Sequence, residues 1–321
     1  MTYSIKAHNV NDAFLSGLWW LRTAGVREES RNGPVLVAPG PVVTEYMRPW
    51  ERVLFQPRRD ANHVFHLLEA LWMLTGSDDV TPLVPFNSGI VRYTEDGRLM
   101  WGAYGYRWRN VWARDQILEA IKQLKNNPNS RQVVIAMWVP DMDLTEAAYK
   151  DRPCNTHIYF DGRGGKLNMT VCCRSNDMLW GAYGANVVHM SVLQEIVAAG
   201  AGLPMGVYRQ FSNNFHLYTE NEMVADLLRT PPTYAHDNYN TSKDIHIPLI
   251  GPGETVDDLL ADCQTLIWED TRIYKTRFVR DVADPLKHTY LDRKSGRPYT
   301  LAGIAWCDWK LGFKEWCERR N

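Results

Sequence analysis

The chain has 321 residues, and its 36 Lys and Arg residues almost balance 37 Asp and Glu residues, so the formal net charge is −1. This balance argues against a nucleic-acid coat protein and against an acidic tail protein, and it leaves local cationic patches as possible anion sites. Hydrophobic residues make up 45% of the chain and charged residues 23%, a composition typical of globular proteins and not of disordered ones.

The distribution of apolar residues and cysteines predicts a cytoplasmic protein that binds neither membranes nor nucleic acid. No apolar run reaches the length of about 18 residues that a membrane helix needs, and the first residues lack the pattern of a secretion signal. The six cysteines contain no CxxC pair, which is typical of reduced intracellular thiols.

Hydrophobic periodicity predicts the first regular elements. Asp60–Thr75 carries apolar residues at the spacing of an amphipathic helix, and Gly76 follows as a stop signal. A second helix is predicted over Asp115–Lys125. The continuous apolar run Val133–Val139 indicates a buried strand.

A β-hairpin is predicted in the middle of the chain. Asn155–Phe160 and Lys166–Arg174 are strand-like, the second with strict apolar alternation, and Asp161–Gly165 forms the turn between them. Further along we predict a helix over 185–200, a strand over 207–211, an acidic helical segment over 252–285 and an aromatic-rich helix at the end. This irregular order of strands and helices favours an α+β fold.

Cys154 is the first candidate for chemistry. It lies in the sequence Arg-Pro-Cys-Asn-Thr-His at the start of a predicted strand, close to Arg152 and His157, with Arg174 across the hairpin. A nucleophilic thiolate needs such an electropositive, partly open setting. The alternative is an inert packing role, which is also the role predicted for the other cysteines, Cys172, Cys173, Cys263, Cys307 and Cys317.

Glu69 is the second candidate, because it lies at the edge of the apolar face of the first predicted helix. A partly desolvated carboxylate suits general acid–base chemistry, whereas a solvated surface Glu is the alternative. Arg31, Arg131 and Arg174 each follow or precede small polar residues, a pattern that suits phosphate binding and also ordinary surface ion pairs. His63 and His66 alone do not support a metal site, so no metal is predicted.

Seven short motifs then occur in one order along the chain: Arg31, Glu69-x-x-Trp72 with Gly76, Tyr104-Gly-Tyr-Arg-Trp108, Pro128-Asn-Ser-Arg131, Pro153-Cys154, Arg174-Ser175-Asn176-Asp177 with Gly181, and His216-Leu-Tyr218. Together they resemble the thymidylate synthase family of folate-dependent pyrimidine C5 transferases. The resemblance runs from about Arg31 to Tyr218, which is over half of the chain.

The resemblance implies a thymidylate synthase-like mixed β-sheet with flanking helices and a homodimer with this sheet at its interface. It divides the chain into a catalytic domain over 1–251 and a helical extension over 252–321 packed on it. It also implies that the Cys154 thiolate adds to C6 of a pyrimidine nucleoside monophosphate, so that C5 can accept a one-carbon unit from the co-substrate 5,10-methylenetetrahydrofolate.

The family's residue roles transfer to matching positions of this chain. Glu69 would relay protons through ordered water, Tyr104 would assist removal of the C5 proton, and Arg174 would help to lower the pKa of Cys154. The implied substrate-binding residues are Arg31, Arg131 from the partner subunit, Arg174, Ser175, Asn186, His216 and Tyr218. The implied folate-binding residues are Trp72, Gly181 and Asp177, the last also assigned to catalysis.

Departures from the methylating pattern favour a hydroxymethylase over a thymidylate synthase, which is the alternative. Asn155 replaces the His that usually follows the nucleophile, and Gln132 replaces the second arginine of a pair. The segment 86–93 lacks the paired tryptophans of the folate wall, and the end Glu-Arg-Arg-Asn lacks a small apolar tail. A site that excludes water less well should favour water over hydride as the final reactant.

Whether the enzyme accepts uracil or cytosine depends on which residue occupies the position of the family's base-reading Asn. The family's base-reading Asn falls on Ala185 when counted without a gap from Gly181, and Asn186 comes one residue later. An amide can pair with uracil or, turned over, with cytosine, so both nucleotides stay open, with dCMP slightly favoured over dUMP. Ser175 favours a deoxynucleotide. The remaining alternative is a nucleotide- or RNA-binding protein that keeps the fold but is not an enzyme, and its function would survive the replacement of Cys154 by Ala.

Overall fold

The computed structural model describes residues 2–146, 149–242, 244–269 and 271–320. The strands in this part of the chain are β1 Tyr3–Ala7, β2 Val26–Ser30, β3 Gly33–Val37, β4 Val42–Tyr46, β5 Val134–Ala136, β6 Asn155–Asp161, β7 Leu167–Cys173, β8 Asn176–Asp177, β9 Met205–Ser212 and β10 Phe215–Tyr218. The helices are α1 Val10–Ala24, α2 His63–Leu74, α3 Tyr104–Arg109, α4 Gln116–Asn126, α5 Pro140–Asp143, α6 Asn186–Ala201, α7 Glu222–Arg229, α8 Asn238–Thr241, α9 Val256–Trp268, α10 Asp284–Lys294 and α11 Asp308–Glu318. Two π-helical segments, Met178–Ala185 and Val279–Ala283, directly precede α6 and α10.

The strands form two sheets. The larger sheet has the order β1-β4-β9-β7-β6-β5, in which β1 pairs with β4 and β7 with β9 in parallel while the other pairs are antiparallel. The smaller sheet has the order β2-β3-β10-β8. The predicted α+β fold with a mixed sheet is therefore confirmed.

One face of the larger sheet is covered by helices and the other is open within the described part of the chain. Helices α1 and α6 contact this sheet, and α2 packs on the far side of α6. On the open face a row of side chains crosses the strands in register, formed by Val134, Tyr159, Thr170, Arg209 and Glu45. Val134 and Tyr159 in this row are exposed.

Helix α2 lies at the centre of the molecule. Every residue from His63 to Leu74 except Glu69 is buried, although periodicity predicted an amphipathic helix with a polar face. The reason is that α9, α10 and α11 also pack against α2 and cover the side away from α6. The C-terminal helices therefore contact the site-bearing part of the chain directly, while a domain boundary at residue 251 stays a prediction.

Most other predicted elements occur with shifted ends. β7 has the predicted alternation, with Leu167, Met169, Val171 and Cys173 buried and the residues between them half-buried. The predicted strand 133–139 is shorter, because the backbone N–H groups of the two residues after β5, 137 and 138, both donate to the carbonyl of Thr156. The N-terminal elements β1, α1 and β2 to β4 were not predicted.

A buried ion pair fixes the segment that follows β5. Arg107 of α3 donates to both carboxylate oxygens of Asp143 at 2.6 and 3.0 Å, and neither side chain is exposed. The same guanidinium donates to the carbonyls of Met137 and Trp101. Because all these groups are removed from water, the pair depends on both partners being present.

We predict that Asp143→Ala lowers the free energy of unfolding by about 3 kcal/mol or more, since the Arg107 charge would be left buried without its partner. The matched control is Asp161→Ala, which removes the partner of the mostly exposed Arg163 and should cost less than about 1 kcal/mol. Urea unfolding of both variants measures the difference. Equal losses would contradict the role given to the buried pair.

Candidate active site

A polar cleft of about 790 Å³ opens beside the smaller sheet. Five of the predicted substrate-binding residues line it: Arg31, Arg174, Ser175, His216 and Tyr218. Arg31 lies in the turn between β2 and β3, Arg174 and Ser175 lie between β7 and β8, and the other two lie on β10. The sheet therefore brings together residues that are far apart in sequence. Arg31 and Arg174 supply guanidinium groups that can bind a phosphate, while Glu28, Glu29 and Glu146 on the same lining balance part of the positive charge.

Arg174 links this cleft to Cys154. Its Nη2 lies 3.8 Å from the Cys154 Sγ and also donates to the carbonyl of Arg152, while its Nε donates to the carbonyl of Pro153. The backbone N–H of Arg174 in turn donates to the carbonyl of Cys154. The guanidinium is thus held next to the thiol by main-chain acceptors, as the sequence predicted for a cation beside the nucleophile.

Burial raises the pKa of the Cys154 thiol above its ordinary value, and this is the largest influence on the group. The Arg174 guanidinium opposes the shift, Asp151 adds to it, and Arg31 opposes it more weakly. The Arg174 guanidinium therefore opposes the rise in the pKa of Cys154, but its effect is smaller than that of desolvation.

Tyr104 holds the backbone of the nucleophile. Its hydroxyl oxygen accepts the N–H of Cys154 at 3.2 Å and the N–H of Asn155 at 3.1 Å. Burial raises the pKa of Tyr104 well above its ordinary value. With both lone pairs occupied, the neutral phenol can donate its own proton, and it can accept a proton from substrate only after one of these bonds breaks.

A chain of buried amides starts at the residue after the nucleophile. Asn155 Nδ2 donates to Asn186 Oδ1 at 3.2 Å, Asn186 Nδ2 donates to Asn176 Oδ1 at 3.1 Å, and Asn176 Nδ2 donates to Ser212 Oγ at 2.9 Å. All four residues are buried. Asn155 Oδ1 is buried without a hydrogen-bond partner among the described residues.

The π-helical segment Met178–Ala185 explains why Asn186 and not Ala185 enters this chain. A π-turn contains one residue more than an α-turn, so it absorbs the extra residue that the sequence places between Gly181 and the amide. Gly181 itself allows the close approach, since a Cβ there would lie 2.7 Å from Asn176 Oδ1 and 3.2 Å from Asn186 Nδ2. Gly181 was predicted as a folate contact, and the contact found here is with the amide pair.

Glu69 pairs with a residue that the sequence analysis missed. His189 Nε2 lies 2.9 Å from Glu69 Oε2, and the imidazole is buried while the carboxylate is partly exposed. His189 is three residues after Asn186 on α6, so both side chains lie on the same face of the helix. The predicted acid–base residue thus pairs with the helix that carries Asn186.

Asp177 and His216 are neighbours in the smaller sheet. Asp177 Oδ1 accepts the N–H of Trp180, and its Oδ2 is buried without a partner among the described residues. Burial raises the pKa of Asp177, whereas the nearby His216 lowers it. Burial lowers the pKa of His216, whose Nδ1 lies 2.7 Å from Asn214 Oδ1, so Nε2 is left for a ligand. The unpaired carboxylate oxygen is a group that a ligand could satisfy.

Two of the predicted binding residues, Trp72 and Arg131, lie neither in the cleft nor in the amide chain. Trp72 is fully buried and its Nε1 donates to the carbonyl of Asp79, so its side chain presents no surface to a folate in this structure. Arg131 is exposed in the segment before β5 and does not line the cleft of its own subunit. A role for Arg131 at the site therefore requires a second copy of the chain.

Comparison with known proteins identifies this arrangement. The family model described as "Thymidylate synthase" matches residues 58–246. The chain belongs to the thymidylate synthase family. It is therefore a one-carbon transferase, and enzymes of this family use methylenetetrahydrofolate as co-substrate.

Relatives with a more specific name are found among phage proteins. The chain is 42% identical to the deoxyuridylate hydroxymethyltransferase of Pseudomonas phage M6, over 99% of this chain and 94% of that protein. It is 34% identical to the deoxyuridylate hydroxymethyltransferase of Bacillus phage SP01, over 60% of this chain and 54% of that protein. Among solved structures, thymidylate synthase from T4 phage aligns with a TM-score of 0.53 and 20% identity, over 68% of this chain and 81% of that chain, which supports the fold.

Two further observations concern metal ions and membranes, neither of which the sequence predicted as a partner. Among the described residues, no group of three His, Cys, Asp or Glu side chains is placed to hold a metal ion. None of the helices in the described ranges is both long enough and apolar enough to span a membrane.

The cleft also contains residues that the family motifs did not include. Trp138 and Tyr149 line it, and the Arg174 guanidinium lies 5.8 Å from the centre of the Trp138 ring. Trp138 was hidden in an apolar run that predicted only a strand. A pyrimidine ring could stack on these aromatic surfaces.

We predict that Arg174→Ala raises the pKa of Cys154 further, because the guanidinium that opposes desolvation is lost. Thiolate-dependent alkylation of Cys154 should then begin at higher pH than in the wild type, as measured by mass spectrometry of the Cys154 peptide without nucleotide. Asp151→Asn is the control and should shift alkylation to lower pH, since Asp151 raises the same pKa. Shifts in the same direction would contradict this account.

Proposed function

We propose that this enzyme hydroxymethylates C5 of deoxyuridine monophosphate, with 5,10-methylenetetrahydrofolate as the one-carbon donor. The observation that carries the proposal is the position of Cys154, whose thiol lies beside Arg174 of the cleft and whose neighbour Asn155 donates to the buried Asn186 amide. A nucleotide with its phosphate in the cleft would place its base toward that amide and its C6 near the thiol. The name of the phage M6 relative, which covers nearly the whole chain, supports both the reaction and the base.

Different residues bind the phosphate, the sugar and the base of the nucleotide. Arg31, Arg174 and Ser175 bind the phosphate through charge-assisted hydrogen bonds. His216 and Tyr218 lie side by side on β10 with ring centres 5.2 Å apart and bind the deoxyribose. Asn186 reads the base. Asp177, with one unpaired buried oxygen among the described residues, binds the folate.

The covalent steps follow from the electron demand at C5. The Cys154 thiolate forms a bond to C6, and the electrons of the C5–C6 double bond become an enolate that attacks the folate methylene carbon. Loss of the C5 proton and cleavage of the carbon–nitrogen bond release tetrahydrofolate and leave an exocyclic methylene. Water adds to that methylene and loses a proton, and expulsion of the thiolate restores the C5–C6 double bond.

The Glu69–His189 pair is suited to the water step. A carboxylate and an imidazole 2.9 Å apart can hold one water molecule and accept its proton when the carbon–oxygen bond forms. His189 lies one helical turn from the base-reading amide, so the water would be close to C5. This base has no such role when hydride is the final reactant, since hydride addition needs no base.

The choice of dUMP over dCMP departs from the slight preference that the sequence alone gave. Two observations support uracil. The two phage relatives carry deoxyuridylate in their names. The π-turn also favours Asn186, and not Ala185, as the member of the amide chain, so the family's amide reader is retained at its place.

We also propose a cytoplasmic homodimer joined through the open face of the larger sheet. The partly exposed row from Val134 to Glu45 would be covered by a second copy, and Arg131, three residues before Val134, would reach the partner's phosphate site. Six free cysteines suit the reducing cytoplasm.

The product mass tests the reaction. Incubation with methylenetetrahydrofolate and dUMP should give a nucleotide heavier by CH2O together with tetrahydrofolate, and Cys154→Ala should abolish turnover because the covalent adduct cannot form. A gain of CH2 with dihydrofolate would make the enzyme a thymidylate synthase. Undiminished function of Cys154→Ala would reject the enzymatic mechanism altogether.

Mixing two inactive variants tests the dimer. Arg131→Ala and Cys154→Ala homodimers should each be almost inactive, whereas subunit exchange creates heterodimers with one intact site. Random exchange should restore about a quarter of wild-type activity, since half of the dimers carry one site of two. Sedimentation as a monomer, or no recovery after proven exchange, would refute the shared site.

A further inference from the structure

In the buried amide chain every hydrogen bond is donated in the same direction, from Asn155 towards Ser212. This direction bears on which base Asn186 can pair with. We propose that Asn155 is a positioning residue that fixes the orientation of the Asn186 amide and thereby selects uracil over cytosine. The inference rests on the proposed function and adds a specificity role for a residue that acts on the base only through Asn186.

After its bonds to Asn155 and Asn176, the Asn186 amide can still accept one hydrogen bond and donate one. Its Oδ1 accepts one bond from Asn155 and its Nδ2 donates one bond to Asn176, so one lone pair and one N–H remain. Uracil offers an acceptor at O4 and a donor at N3, which match an amide that donates through Nδ2 and accepts through Oδ1. Cytosine offers a donor at N4 and an acceptor at N3, which match the same amide turned over.

If the Asn186 amide turns over, the amides of Asn155 and Asn176 must turn over as well. With Asn186 reversed, its Nδ2 would face Asn155 Nδ2 and its Oδ1 would face Asn176 Oδ1, and each contact would be repulsive. Because Asn155, Asn176 and Asn186 are all buried, water cannot relieve a mismatched contact. The amides therefore have two consistent arrangements, one for each base.

The two ends of the chain differ in their power to choose between these arrangements. At one end Ser212 is a hydroxyl, which accepts from Asn176 now and could donate to it equally well after reversal. Ser212 therefore sets no direction. At the other end Asn155 must present Nδ2 for the uracil arrangement and Oδ1 for the cytosine arrangement. Its outer atom, now Oδ1, is buried without a partner among the described residues, and reversal would leave the Nδ2 donor there instead; a buried N–H without a partner is rarer in proteins than a buried carbonyl oxygen without one, so Asn155 favours the uracil arrangement.

The position of Asn155 is itself fixed. Its backbone N–H donates to the Tyr104 hydroxyl, together with that of Cys154, and its pairing with Cys173 starts the ladder between β6 and β7. A register shift follows directly, between Asn155 and His157, and such a bulge re-aims the side chains around it. The amide thus enters the interior beside Asn186 while its neighbour carries the thiol.

Two isosteric substitutions should affect the chain in opposite ways. Asn155→Asp removes the donor at the directing end, so the ionised carboxylate can only accept and Asn186 must turn Nδ2 toward it. Asn176→Asp places the same change on the other side, where a carboxylate accepts from Asn186 Nδ2 as the amide oxygen does now. Both variants add one buried carboxylate, so each is the charge control for the other.

The measurement is the ratio of kcat/KM for dUMP to kcat/KM for dCMP in direct competition, at a pH high enough to ionise the introduced carboxyl. We expect the wild type to favour dUMP, Asn155→Asp to shift the ratio toward dCMP by about 100-fold or more, and Asn176→Asp to keep dUMP preferred. Asn155→Ala, which removes the directing group, should bring the ratio toward unity. Lowering the pH until the carboxyl introduced by Asn155→Asp is protonated should restore the preference for dUMP, because the acid can donate to Asn186 Oδ1.

The outcomes separate this inference from the proposed function. A ratio that Asn155→Asp and Asn155→Ala leave unchanged overturns the positioning role, even if wild-type enzyme makes the hydroxymethyl product. A methylated product from wild-type enzyme overturns the proposed reaction, while the ratios still test the amide chain. If Asn155→Asp fails to fold, the ratio of the folded Asn155→Ala variant decides, since a positioning role requires its preference to fall.

Discussion

The Tyr104 hydroxyl is the atom on which the geometry of the site depends, because it accepts the N–H groups of two consecutive residues at the start of β6. Consecutive residues of a strand point to opposite sides, so one anchored dipeptide sends the Cys154 thiol toward the cleft and the Asn155 amide into the interior. Tyr104 is the first residue of α3, and α3 is itself fixed by the buried pair between Arg107 and Asp143. Cys154 and the amide chain are thus both held in place by Tyr104.

The same burial that fixes these groups also raises the pKa of the Cys154 thiol. Desolvation outweighs the Arg174 guanidinium at this thiol, so the guanidinium offsets only part of the rise in its pKa. Arg174 makes hydrogen bonds to main-chain carbonyls on the same side as the thiol, so its charge is shared between the cysteine and the cleft. If Arg174 binds the phosphate as proposed, phosphate binding and thiol ionisation are coupled through one residue.

The sequence predicted those features that depend on local pattern. The periodicity of α2, the alternation in β7 and the short motifs around Cys154, Arg174 and His216 all refer to residues close together in the chain. The N-terminal strands escaped prediction because β2 is exposed along its whole length and mostly polar, and it is stabilised by pairing with β3. The burial of Trp72 and the pairing of Glu69 with His189 depend on contacts between residues far apart in the chain or on helices outside the family motifs, and no local pattern encodes them.

Two departures from the family pattern, at positions far apart in the sequence, produce one contact, the hydrogen bond between Asn155 and Asn186. The extra residue before Asn186 is absorbed by a π-turn, and the amide in place of an imidazole at Asn155 is the group that Asn186 then meets. Neither change is favourable alone: without the π-turn Ala185 would face Asn155, and without Asn155 a buried amide oxygen of Asn186 would lose its donor. Gly181 completes the arrangement, since any side chain there would collide with the Asn176–Asn186 pair. This side of the site is therefore a single packed unit, in which the residue after Cys154, the turn before α6 and one glycine are compatible only in combination.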